Sequence, residues 1–316
     1  MAKTVVGSLA PGRIVTGDAV TLLADLGPGT VDLVVTSPPY LVGKSYEADL
    51  TEDSWTRLIA DVVAGCARVL RPGGFLAVNI NDVLAHPDPS LPRFSGENRG
   101  RNRHAITRQD VLAAHRANPG ASRYDLARLL GCSEQTINRR LGGIGVRGGK
   151  SAIQTRVRLS GPTIERAGQA AGLYLYDRRV WVKDPSWTGS PWHAATYRAI
   201  DDVEHIFVLH KPGPFIVDRT RLTPREWASW GSRGVWNIAS VRANDDHEAK
   251  FPLALPTRLI RLLSGPGELV LDPFIGSGTT AVAAIRTGRR WLGFDIDPRA
   301  ADVARANIVA AQQAAS

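Results

Sequence analysis

Leu269-Val270-Leu271-Asp272-Pro273-Phe274-Ile275-Gly276-Ser277-Gly278-Thr279-Thr280 is a short apolar run, a glycine-bearing turn and the start of a helical pattern that continues to Arg286. A strand that feeds a helix through such a turn is the unit from which parallel sheets are wound. The glycines let a ligand approach the backbone and leave the first helix N–H groups free to meet it. The next apolar run, Arg290 to Ile296, contains Asp295 at a spacing suited to ribose hydroxyls. Gly276, Gly278 and Ala281 also fit a dinucleotide fingerprint, so the loop by itself admits NAD, FAD or S-adenosylmethionine. It is not a P-loop, because no Gly-Lys-Ser/Thr follows. Asp272 discriminates further. A carboxylate just before the loop repels a pyrophosphate and suits the cationic amino and sulfonium end of S-adenosylmethionine. Its plainer reading is a turn or helix-capping aspartate.

The same strand–helix rhythm runs outward from this loop through most of the 316 residues. Gly12 to Thr16 reads as a strand and Ala19 to Leu26 as a helix. Val31 to Thr36 is a mostly apolar strand of the kind buried on both faces. Ser54 to Leu70 is an amphipathic helix that Arg71-Pro72-Gly73-Gly74 terminates, and Phe75 to Ile80 is another buried strand. Pro162 to Ala171 reads as a helix, and Leu173 to Lys183 and Glu204 to His210 as an antiparallel pair of strands. Pro256 to Leu263 and Pro298 to Ala311 are helices. The alternation predicts an α/β fold, a doubly wound and mostly parallel sheet with helices on both faces. Ligands in such sheets bind at the carboxyl ends of the strands.

A second strand end carries more specific chemistry. Val31–Thr36 stops at Ser37-Pro38-Pro39-Tyr40, since two prolines cannot continue a ladder. An exocyclic amine on a nucleobase is a poor nucleophile because its lone pair is conjugated into the ring. Two acceptors on its hydrogens pull the nitrogen toward tetrahedral geometry and localise that pair. Ser37 Oγ and the Pro38 carbonyl are suited to this, with the prolines fixing the backbone. Tyr40 offers a face on which an extruded base can stack. The bland alternative is a Pro-Pro turn with a core tyrosine.

Charge points the same way. The formal net charge is +9, and between Arg93 and Arg158 there are 14 basic and four acidic residues. The rest of the chain is close to neutral. A concentrated basic segment attracts polyanions, nucleic acid above all, although a solvated basic loop has the same composition. Two cysteines, Cys66 and Cys132, make neither a disulfide framework nor a zinc site, and the scattered histidines have no partner at metal spacing, so no metal is expected. No apolar run approaches eighteen residues, which excludes a membrane-spanning helix from the expectation. With sparse thiols and a broken apolar patch from Met1 to Arg13, the expected location is the cytoplasm.

These motifs together resemble the DNA amino-methyltransferases that modify N4 of cytosine or N6 of adenine. The order resembles the circularly permuted beta group, in which the Ser/Asp-Pro-Pro-Tyr motif precedes the cofactor loop. The resemblance implies a permuted Rossmann-like methyltransferase fold with S-adenosylmethionine as cofactor, double-stranded DNA as substrate and base flipping. A cognate restriction endonuclease is an implied partner. It makes Ser37, Pro38, Pro39 and Tyr40 catalytic. It assigns cofactor contacts to Asp18, beside the adenine, and to Asp295, on the ribose. Pro273, Phe274, Gly276, Ser277, Gly278, Thr279 and Thr280 would surround the cofactor with Asp272. His247-x-Ala249-x-Phe251-Pro252 is similar to a family segment whose phenylalanine lines the cofactor pocket, which adds Phe251. Ser37 in place of aspartate and the form of that segment favour N4 of cytosine over N6 of adenine.

The resemblance covers nearly all of the chain except a middle insertion. Tyr124 to Leu141 reads there as helix–turn–helix, with Gly131 at the turn, Ser133 capping, and Leu126, Ala127, Leu130, Ile137 and Leu141 inward. A helix from Arg108 to Arg116 completes a three-helix unit similar to the DNA-binding heads of small bacterial regulators. Gln135, Thr136, Asn138, Arg139 and Arg140 are then exposed for phosphates and base edges. The expected division is a catalytic half over 1–82, an all-α DNA-binding insertion over 83–150, and the remainder with the cofactor half over 151–316. Within the last, the irregular Trp-rich stretch 184–246 is either a target-recognition region or a β-rich core patch. Rival readings are a helix–turn–helix regulator with a ligand-sensing sheet domain, a nicotinamide-dependent dehydrogenase, and a methyltransferase acting on protein glutamine or RNA.

Overall fold

The computed structural model describes residues 9–42, 47, 49–91, 106–141, 155–184, 199, 201–241 and 251–313, with the side chains of Ala85 and Gln135 outside that description. The elements in chain order are β1 (Arg13–Thr16), α1 (Ala19–Asp25), β2 (Val31–Thr36), α2 (Glu52–Val69), β3 (Leu70–Ile80) and β4 (Val83–Pro87). Then come α3 (Arg108–Ala117), α4 (Arg123–Leu129), α5 (Glu134–Leu141), β5 (Thr155–Arg158), α6 (Gly161–Ala170), β6 (Tyr174–Val182) and β7 (Val203–His210). The last are α7 (Pro224–Glu226), β8 (Val235–Asn237), α8 (Ala254–Leu263), β9 (Leu269–Asp272), α9 (Thr279–Arg286), β10 (Arg290–Asp295) and α10 (Pro298–Gln313). The chain divides into two compact units, residues 1–86, 157–185 and 202–316, and residues 87–156 and 186–201.

In the first unit eight strands form one sheet in the order β1-β10-β9-β2-β3-β7-β6-β8. Every neighbouring pair is parallel except β3–β7 and β7–β6, so β7 alone runs against the rest. Period-2 alternation along the strands builds a core on each face. Val34, Leu76, Leu271 and Phe294 join Leu23, Ile59, Val63 and Ile164 from α1, α2 and α6. Leu33, Ala77, Val270 and Ile206 join Leu259, Ala281 and Ile308 from α8, α9 and α10. This is the doubly wound arrangement expected from the rhythm. The strand order reverses between β9 and β2, where Leu33 pairs with Val270 and Val34 with Leu271. The two motif-bearing loops, far apart in the chain, therefore leave neighbouring strands at the same edge.

Three details differ from the sequence expectation. β3 begins at Leu70 rather than Phe75, because Arg71-Pro72-Gly73-Gly74 continues the strand through a bulge instead of ending it. The register against β2 jumps from Val31↔Leu70 to Leu33↔Phe75. Gly73 has φ +80°, and a Cβ there would lie 2.0 Å from the Pro214 carbonyl oxygen, so only glycine permits this crossing. Secondly, β4 and β5 form a two-stranded sheet within stretches read as irregular or left unassigned. Thirdly, the Trp-rich stretch contains β8, which pairs parallel with β6 and buries Trp236 to 1% exposure. Trp187 and Trp192 lie outside the described residues.

In the second unit α3, α4 and α5 close around Val111, Ala114, Leu126, Ala127 and Ile137. Thr107 with Asp110 and Ser122 with Asp125 form capping boxes at the starts of α3 and α4. Ser133 Oγ accepts from the Thr136 backbone N–H at 3.2 Å, capping α5. Among the described residues no helix is long and apolar enough to cross a membrane, and no cluster of metal-ligating side chains occurs.

Candidate active site

The loop after β9 is organised by Asp272, which is 1% exposed. Its Oδ1 accepts from Thr36 Oγ1 at 2.7 Å and from the Phe274 N–H at 3.0 Å. Its Oδ2 accepts from Thr280 Oγ1 at 2.6 Å. Thr280 thereby ties the first turn of α9 to the strand end, and Thr36 ties β2 to β9. Burial pushes the Asp272 carboxyl up to about 6, against the pull of these three donors, and the nearby Asp295 charge adds to the rise. Its described partners are all neutral donors.

Gly278 opens α9 with φ +85°, and a Cβ there would come within 3.0 Å of Ala304 on α10. Gly293 lets β10 approach the loop, since a Cβ would meet Ile275 Cγ1 at 2.7 Å. The Asp295 carboxylate accepts from the Gly276 N–H and from the Asp297 N–H, both at 2.9 Å. The Gly17 N–H donates to the Asp295 carbonyl at 2.8 Å. This bond brings Asp18, at the end of β1, beside the end of β10. Asp18 is exposed and caps α1, accepting from the Thr21 N–H at 2.9 Å and Thr21 Oγ1 at 2.8 Å. Phe274 and Phe251 are half-buried and pack on opposite faces of the sheet, one against each core. Pro273 and Ser277 are buried, and Thr279 Oγ1 lies 3.3 Å from Ser277 Oγ. His247 and Ala249 lie outside the described residues.

The turn after β2 is held from several sides. The Trp55 indole N–H donates to the Pro39 carbonyl at 2.7 Å, and Arg158 Nη2 donates to the Tyr40 carbonyl at 2.5 Å. The Arg158 guanidinium also stacks on the Trp55 ring, 4.0 Å from its centroid. Glu47, 2% exposed, accepts from the backbone N–H groups of Tyr40, Leu41 and Val42 at 2.7–2.8 Å. Three charge-assisted bonds stabilise a backbone in which Leu41 adopts φ +60°. Ser37 Oγ lies 2.8 Å from the Tyr40 hydroxyl, which donates to Glu204 Oε2 at 2.8 Å.

Glu47, Trp55, Asn79, Arg158 and Glu204 were not among the residues singled out from the sequence. Glu204 had one visible signal, an acid at the start of a mostly apolar strand. The antiparallel direction of β7 brings that start to the edge where β2 and β9 end. Glu47 sits in a stretch with no periodicity and shows no such signal.

A family model described as DNA methylase, for N6 and N4 methyltransferases, matches residues 31–306, both strand-end motifs included. The chain belongs to this N6/N4 DNA methylase family. The type II methyltransferase M.BglI of Bacillus subtilis is 50% identical over 292 residues, which span 92% of this chain and 84% of that protein. TTHA0409 of Thermus thermophilus, solved as a complex with S-adenosyl-L-methionine, superposes with a TM-score of 0.62 at 24% identity, covering 95% of this chain and 93% of that one. The cytosine-N4-specific PvuII DNA methyltransferase superposes at 0.59 and 19% identity, covering 97% and 93%. These two likenesses bear on the fold alone. Family membership displaces the dehydrogenase and ligand-sensing regulator readings, neither of which accounts for Ser37–Tyr40.

In this methylase the second unit carries the other set of expected contacts. On α5, Arg139 and Arg140 are exposed as expected, but Thr136 and Asn138 are half-buried rather than exposed, Thr136 being drawn in by the Ser133 cap. The side chain of Gln135 lies outside the described residues. Of the inward set, Leu126, Ala127 and Ile137 are buried, and Leu130 and Leu141 are half-buried against them.

Proposed function

We propose that this methylase transfers a methyl group from S-adenosylmethionine to N4 of a cytosine rotated out of duplex DNA. The observation that carries the reading is the 2.7 Å bond from Thr36 to Asp272. It fastens the amine-accepting turn to the glycine loop, so a base held at one meets a cofactor held at the other. The residues fit such a cofactor. Asp272 is a buried anion with only neutral described donors, suited to a cationic amino or sulfonium group. Gly276 and Gly278 supply side-chain-free backbone beside it, and Asp295 and Asp18 follow on the next two strands for ribose and base. Phe251 and Phe274 add apolar lining. Bound there, S-adenosylmethionine supplies a methyl group made electrophilic by its sulfonium.

The chain's own part is to hold and activate the base. Ser37 Oγ and the Pro38 carbonyl accept from the exocyclic amine, which localises its lone pair, while Tyr40 stacks on the ring. Rotating the base out costs a few kcal/mol, offset by contacts to the flanking duplex. A neutral serine at position 37 favours cytosine, and adenine N6 is the second reading within the same chemistry. DNA from cytoplasmic expression in a host without its own amino-methylation, digested to nucleosides, is expected to contain N4-methylcytosine. Finding N6-methyladenine alone would reverse the choice of base and leave the family assignment untouched.

The likeness to a type II methyltransferase favours a protective role, in which methylation blocks a cognate restriction endonuclease at one sequence. The α3–α5 unit reads duplex DNA through Gln135, Thr136, Asn138, Arg139 and Arg140. Alanine at Arg139 or Arg140 is expected to weaken DNA binding, and each lost phosphate contact to flatten the salt dependence by about one unit of slope. Titrations over a range of salt concentrations test this, and an unchanged slope in both variants would assign the unit another role.

A further inference from the structure

We infer that Glu204 is a positioning residue that sets the direction of the hydrogen-bond chain ending at Ser37, and so keeps the serine oxygen an acceptor toward the base. The inference rests on the amino-methyltransferase reading above. It concerns a residue on β7, on a different strand from either motif.

Glu204 is 9% exposed. Its Oε1 accepts from Lys183 Nζ at 3.1 Å, and its Oε2 accepts from Asn79 Nδ2 at 2.7 Å and from the Tyr40 hydroxyl at 2.8 Å. Asn79 Nδ2 also donates to the Tyr40 oxygen at 2.9 Å. A largely buried carboxylate costs stability unless it is paired, and here Lys183 supplies the counter-charge.

The consequence lies in proton positions. Three described acceptors compete for the single phenolic proton of Tyr40: Glu204 Oε2 at 2.8 Å, Ser37 Oγ at 2.8 Å and the Asn79 backbone carbonyl at 3.2 Å. The carboxylate is the charged one of the three, and charge-assisted bonds are about twice as strong as neutral ones. Tyr40 therefore donates to Glu204. The Ser37–Tyr40 contact then needs its proton from serine. With its own proton committed to Tyr40, Ser37 Oγ turns lone pairs toward an incoming amine. Reversed, serine would receive the tyrosine proton and could aim its own O–H at the amine, opposing the arrangement that activates the nitrogen. Tyr40 is thus oriented at its hydroxyl by the same residue that polarises Ser37.

The test uses Glu204→Gln, which keeps the shape and removes the charge. Lys183 holds the amide oxygen on its side, which turns the amide N–H₂ toward Tyr40 and toward Asn79, whose own amide must rotate to present its oxygen. Full-length protein, unmodified genomic DNA and labelled S-adenosylmethionine are used for single-turnover rates. Calorimetry gives cofactor affinity and thermal unfolding gives stability. The expected result is a rate loss of about 10- to 100-fold and cofactor affinity within twofold, measured well below a melting temperature that falls because Lys183 loses its counter-charge. In a Tyr40→Phe background, which cuts the chain, the same substitution should cost less than about threefold more. A merely structural role would give rate losses that multiply. E204Q with wild-type rate, or multiplying losses in the double variant, overturns the inference alone. Wild-type protein that methylates neither base removes it together with the reading on which it rests.

Discussion

Replacing Ser37 by alanine is expected to slow methyl transfer by about 10²- to 10³-fold, the usual loss when one polar partner of the transition state is deleted. The contact strengthens as the amine pyramidalises, so the loss falls on turnover and not on the ground state. Cofactor affinity should stay within about twofold, because Thr36 and not Ser37 carries the bond to Asp272. The turn should also survive, since Glu47, Trp55 and Arg158 hold it through backbone groups of Pro39 to Val42. Single-turnover rates with calorimetric cofactor binding read both quantities. A Ser37→Ala variant with an unimpaired rate would dismiss the acceptor mechanism.

Asp272→Asn is expected to weaken S-adenosylmethionine binding at least tenfold at neutral pH while making the cofactor-free protein more stable. With its pKa raised to about 6 against about 3.9 in the unfolded chain, Asp272 binds more protons folded than unfolded between those values. Its contribution to stability therefore falls as pH rises from about 4 to about 6, by up to roughly 3 kcal/mol, and stays lost above. Asparagine removes that slope. A cationic ligand prefers the ionised carboxylate, so wild-type affinity should improve toward tenfold per pH unit below 6 and level off above it. The variant should bind weakly with little pH dependence. Denaturant unfolding and calorimetry from pH 5 to 7.5 check the pair of effects. Equal affinity in the two proteins would separate Asp272 from the cofactor.

The sheet was legible because buried strands such as Val31–Thr36 and Leu269–Leu271 carry their own apolar signature, and because Pro38-Pro39 and Gly276–Gly278 punctuate it. The antiparallel pair of β6 and β7 was also readable, from two long β-rich runs. β8 was not, since three residues are too few to show a period. Arg71–Gly74 misled for the opposite reason. Pro-Gly-Gly is a strong breaker locally, and only the packing of Gly73 on the Pro214 backbone converts it to a bulge. In the candidate site the two motifs stood out by residue type. Their supports did not, because Glu47, Arg158 and Glu204 reach the turn through contacts set by tertiary structure.

The pairing of β2 with β9 has a kinetic side. It joins residues more than 230 positions apart at the centre of the sheet. During synthesis β2 must wait, with one edge unpaired, until almost the whole chain has emerged. Parallel pairing across so long a separation carries a large loop-closure cost and is slow to nucleate. The strand that leads into Ser37 is therefore completed late, and an unfinished chain presents an apolar edge open to aggregation. A chain built in this order brings its Ser37–Tyr40 turn and its glycine loop together in a single late event, so a half-made methylase lacks the pair.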